Sequence, residues 1–86
     1  MTNVYESSDP MINPSHYKTK SGLETIDVIE AFTEDLQGIE AVDVANIIKY
    51  ITRYKKKNGL QDCKKAAWYC NHLIQYLERK EEESFK

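Results

Sequence analysis

Apolar positions fall in three trains along the chain. In the first, from Leu23 to Leu36, they are Ile26, Ile29, Ala31, Phe32 and Leu36, spaced by threes and fours. That is the period of a helix with one buried face. Ser21 or Thr25 stands where a cap is needed, and Gly38 where the helix must stop. In the second train Val44, Ile47, Ile48 and Ile51 form a stripe edged by Ala41 and Ala45. It predicts a helix from Ile39 or Ala41 to Lys57, stopped by Asn58-Gly59. In the third, Cys63, Ala66, Ala67, Cys70, Leu73, Ile74 and Leu77 predict a helix from Gln61 to Arg79, with Asp62 in its first turn. No segment alternates with period 2, so no strand is expected. Residues 1–22 are rich in Asn, Ser, Asp, Pro and Gly and read as an irregular leader. Residues 78–86 read as a charged stretch that frays, with 80–86 the tail beyond the helical domain. The expected fold is all-α: a three-helix domain over residues 23–79, made of a helical hairpin with one helix packed across it.

Length and charge sharpen this picture. A chain of 86 residues is one domain with a small core, for which a homo-oligomer is a natural remedy. The net charge of −2 conceals a split. Glu24, Asp27, Glu30, Glu34, Asp35, Glu40 and Asp43 come with no base among them. Lys49, Arg53, Lys55, Lys56, Lys57, Lys64 and Lys65 face one acid, Asp62. Such asymmetry suits a bound ion or subunits meeting head to tail. Cys63 and Cys70 lie two helical turns apart, about 10 Å, too far for a disulfide, so they read as small core residues in a reducing cytoplasm. No apolar run is long enough to span a membrane.

The segment NIIKYITRYKKKN, residues 46–58, holds the first candidate chemistry. Asn46, Lys49, Arg53 and Lys57 share one helical face, flanked by Tyr50 and Tyr54. An amide, two ammonium groups and a guanidinium in a row suit a phosphate, and the tyrosines suit a base. The competing reading is a solvated basic face. On the third helix Lys65, Trp68 and His72 share a face, with the Trp either a base platform or half-buried core. Acids at helical spacing, Glu24 with Asp27, Asp27 with Glu30 and Glu40 with Asp43, suit Mg²⁺, though solvated acidic helices show the same pattern. In the leader, Asn13-Pro14-Ser15-His16-Tyr17 is a compact turn that either anchors the leader or aims His16 and Tyr17 into a site, His16 as phosphate donor or general acid/base.

The order N-P-S-H-Y, then G-L-E-T-I-D-V-I-E-A-F, then N-I-I-K-Y-I-T-R-Y-K-K-K-N-G-L-Q-D-C-K-K-A-A-W-Y resembles a small tailed-phage family of unknown function, over residues 12–77. Its members are often labelled phage nucleotide kinase, after a related domain in a longer podophage nucleoside monophosphate kinase. Cys63 stands where the family pattern leads one to expect Leu. The resemblance implies a protein acting in the cytoplasm of an infected bacterial host on a nucleotide. On matching positions it points to His16, Tyr17, Asp27, Asn46, Lys49, Tyr50, Arg53, Lys57, Asp62, Lys65 and Trp68. In the kinase-like reading His16 and Asp27 are catalytic, Tyr17 and the helical residues bind the ligand, and Asp27 with Glu30 holds Mg²⁺. No G-x-x-x-x-G-K-[ST] is present, so an ordinary P-loop kinase is excluded.

Two further classes compete. One is a phage protein without turnover that sequesters a signalling nucleotide or inhibits a host protein through Trp68 and the tyrosines. The other is a nucleic-acid binder, which the negative total charge disfavours.

Overall fold

The computed structural model describes residues 19–84. Helix α1 spans Thr25–Thr33, α2 Gly38–Arg53 and α3 Leu60–Ser84, with one 3-10 turn at Tyr54–Lys56, and no strand occurs among the described residues. The chain is all-α, as the hydrophobic period predicts. Helices α2 and α3 pair as a hairpin, and α1 packs against α2. The leader residues 13–17, His16 and Tyr17 included, lie outside the described residues.

Boundaries move where side chains act on the backbone. The residue capping α1 is Glu24, not Ser21 or Thr25. Its amide donates to Asp27 Oδ2 at 3.0 Å, one arm of a capping box. Helix α1 stops at Thr33, whose hydroxyl donates back to the Ile29 carbonyl at 2.7 Å. Gly38 therefore opens α2, with φ 59, and does not close α1.

Helix α2 ends at Arg53, four residues before the expected Lys57, and the reason is Asp62. The Asp62 carboxylate takes the Asn58 amide at 3.1 Å and the Arg53 guanidinium through two atoms, Nε at 3.3 Å and Nη2 at 3.2 Å. The chain must turn back to make these bonds. It does so through Gly59, with φ 52 and its amide 2.7 Å from the Tyr54 carbonyl. Helix α3 runs to Ser84, past the expected end at Arg79, so residues 80–84 of the charged tail continue the helix. The run Glu78–Glu83 is composed of good helix formers.

The hairpin seam is polar at both ends. Ala66 is the one buried apolar residue among those described, while Asp43, Arg53 and Asp62 are all buried. At one end Asp43 Oδ2 meets His72 Nδ1 at 2.8 Å. In the middle the Tyr50 and Tyr69 rings stack at 6.0 Å. At the other end Arg53 grips Asp62. A carboxylate out of water is tolerated only with hydrogen-bonding partners, and both acids have them.

Candidate ligand site on the hairpin face

The positions 43, 46, 50 and 53 follow one line down α2, and 62, 66, 69 and 72 answer it on α3. Beside that seam the structure gathers Tyr50, Lys65, Trp68 and Tyr69 around a solvent-open depression of about 360 Å³. Three cations surround the Tyr50 ring: the Arg53 guanidinium at 4.7 Å, Lys49 Nζ at 5.1 Å and Lys65 Nζ at 5.3 Å. Each lies within cation–π range. Trp68 meets Tyr69 edge-on at 5.0 Å and stands 60% exposed. Its ring also lies parallel to His72, 5.3 Å away. A second, smaller depression of about 180 Å³, lined by Trp68, Asn71, His72 and Gln75, continues the first.

The candidate residues separate into groups. Lys49, Tyr50, Lys65 and Trp68 come together. Arg53 adjoins them but is 5% exposed, its fork already filled by Asp62, so it is a structural anchor rather than a phosphate ligand. Burial pushes the Asp62 carboxyl up, but the Arg53 hydrogen bonds, the Asn58 amide and the Arg53 charge outweigh it. The carboxyl is held below the ordinary aspartate value. Asn46 donates from Nδ2 to the Val42 carbonyl of its own helix at 2.9 Å. Lys57 lies past the 3-10 turn and leaves the face that an unbroken helix would have given it. Tyr54 is exposed in that same turn.

The acidic pairs resolve differently from their spacing. Asp27 caps α1 and Glu30 is exposed on it. Asp43 is taken from the Glu40 pair by His72. No three His, Cys, Asp or Glu side chains cluster as metal ligands among the described residues. Cys70 is exposed and Cys63 half-buried, so neither is the core residue its place in the stripe suggests.

From sequence, Asp43 is named only as half of an acidic pair and His72 only as a neighbour of Trp68 on one face; the two are not joined, and Tyr69 is given no role in the site. The signal was present: Asp43 is in phase with Tyr50 and Arg53 on α2, and His72 with Lys65 and Trp68 on α3. With Nδ1 bonded to Asp43, the His72 tautomer is set, and Nε2 is the atom left for a ligand.

This is an α-helical hairpin protein with an open aromatic and cationic surface site. The model of DUF3310, described as a protein of unknown function, matches residues 11–71, and the chain belongs to that family. Comparison with curated proteins and comparison with solved structures give no match. No helix among the described residues is long and apolar enough to cross a membrane.

Proposed function

We propose that the depression between Tyr50, Lys65, Trp68 and Tyr69 binds a nucleotide, with Trp68 stacking on the base and Lys49 and Lys65 holding phosphate. The observation that carries this is one place with two chemistries. A 60% exposed indole stands beside two ammonium groups that both lie within 5.3 Å of one tyrosine ring. Base stacking on an aromatic ring contributes about 1–3 kcal/mol, and a lysine adds a mobile point charge for phosphate. His72 lines the neighbouring depression, where Nε2 of the tautomer fixed by Asp43 accepts a hydrogen bond from a ligand hydroxyl or amino group.

The more specific reading is a phage nucleotide kinase without a P-loop, acting in the infected bacterial cytoplasm with Mg²⁺ carried by the nucleotide phosphates. The openness of the depression supports the other reading, capture without turnover, because phosphoryl transfer is helped by excluding water.

Trp68 is the chain's one tryptophan, so its fluorescence reports the site directly. Deoxynucleoside and ribonucleoside mono-, di- and triphosphates and cyclic dinucleotides are titrated with and without Mg²⁺. A saturable change, weakened about tenfold or more by Trp68→Ala and by Lys49→Glu with Lys65→Glu, supports the reading. Product analysis on the bound nucleotide then separates kinase from sequestering protein. A flat response from folded protein across the panel overturns nucleotide binding and leaves Trp68 as an anchor for a host protein.

A further inference from the structure

Helix α3 carries a second stripe that faces neither α2 nor the nucleotide depression. Leu60, Cys63, Ala67, Cys70, Ile74 and Leu77 are spaced by 3, 4, 3, 4 and 3 residues. That is the a/d repeat of a helix made to pack along another helix. Yet Leu60 is 70% exposed, Ile74 47% and Leu77 44%, and Ala67 and Cys70 are exposed as well. The face toward α2 is the separate line Asp62, Ala66, Tyr69 and His72, and Lys65 and Trp68 lie on its other flank. The stripe is therefore free of the site proposed above and does not depend on it.

We infer that this stripe is the seam of a homodimer in which the α3 helices of two copies pack antiparallel about a two-fold axis near Ala67 and Cys70. Two observations choose a second copy as the occupant. The stripe is palindromic in spacing, 3, 4, 3, 4 and 3 residues, so in an antiparallel pair Leu60 falls against Leu77, Cys63 against Ile74, and Ala67 against Cys70. A surface must be self-complementary in this way to form a two-fold contact. Charge sets the direction. Lys64 and Lys65 are on α3's first turns and Lys55, Lys56 and Lys57 are in the turn before it, whereas at its far end Glu78, Glu81, Glu82 and Glu83 outnumber Arg79 and Lys80. An antiparallel pair brings the acidic end of each α3 onto the basic turn of the other copy. A parallel pair sets lysine against lysine and glutamate against glutamate. The apolar seam runs about 27 Å, five turns, with small residues at its middle that let the helices approach closely.

The test is light scattering behind size-exclusion chromatography on the full chain, at about 100 μM and in dilution. The expected mass is twice 10.0 kDa. Ile74→Glu with Leu77→Glu should weaken association roughly tenfold or more while helicity by circular dichroism persists. A second experiment holds if that variant unfolds. Ile74→Cys in a Cys70→Ser background places a thiol opposite Cys63 of the other copy. Mild oxidation should then give a mixed disulfide between position 74 and Cys63 in peptide maps. A monomeric mass, a dimer unchanged by the glutamates, or symmetric Cys63–Cys63 cross-links would each overturn the inference. Trp68→Ala should leave the dimer intact, so a failed nucleotide site and a failed seam are told apart.

Discussion

Asp62 has no exposed surface, and three donor atoms converge on it from Arg53 and Asn58. Its carboxyl is held below the ordinary aspartate value in the fold. The pair's contribution is therefore complete above the unfolded value, about pH 4, and fades as the pH falls through the lower folded value. Asp62→Asn should lower the thermal midpoint at neutral pH and flatten its decline on acidification; a melt series from pH 7 to pH 2 checks both. Arg53→Lys should not restore the midpoint, because an ammonium cannot make the two-atom grip. The Asp43–His72 bond gives a second test at this scale. His72→Phe leaves Asp43 buried without its partner and should destabilise by about 1–3 kcal/mol. Adding Asp43→Leu to His72→Phe should recover much of that loss, read by urea unfolding. Neither pair was legible in the sequence. Arg53 was in phase with Lys49 and read as one more phosphate ligand, and its partner lay nine residues on, past a turn whose path the local pattern does not contain. His72 and Asp43 are 29 residues apart, beyond any helical spacing rule.

Among elements, the three helices were legible because their apolar residues recur every three or four positions, a signal that survives whatever the helix packs against. Their ends were not. Thr33, Asp27 and Asp62 each decide a boundary through one side-chain bond to the backbone, and such bonds depend on where the chain goes next. The turn at Gly59 decides most. Its φ of 52 lies in the left-handed region, and a side chain there would meet nothing within 4 Å. The penalty for Gly59→Ala is thus one of backbone conformation alone, about 1–2 kcal/mol. For a domain of this size that is a loss of roughly 4–8 °C per kcal/mol, measurable by thermal melting. Gly59→Asn should lose less, since asparagine tolerates this region.

For the whole molecule, the outstanding feature is how little apolar surface the described residues hide. Phe32, Leu60, Ile74 and Leu77 are all well exposed, and Ala66 alone among apolar residues is buried. The stripes were read from the sequence as core. The α3 stripe divides: Ala66 is buried and Cys63 and Leu73 are half-buried, while Ala67, Cys70, Ile74 and Leu77 face outward, a distinction periodicity cannot make because an interface and a core show the same spacing. If the seam pairs two copies, stability depends on concentration. The thermal midpoint of the full chain should rise as protein concentration rises, and fall in high salt as the lysine and glutamate ends are screened. A midpoint flat in both variables would match a monomer.

The polar ends of the hairpin have one more consequence. Between those ends the seam holds the Tyr50–Tyr69 stack and buried Ala66, and such contacts alone would leave α3 free to slip by one turn. The two hydrogen-bonded ends do not. A slip of one turn would separate Arg53 from Asp62 and Asp43 from His72 together, stranding charge at both ends. The hairpin is a keyed joint, with the keys at its ends and the grease between them. Its weak core leaves many near-alternatives, and the keys reject them.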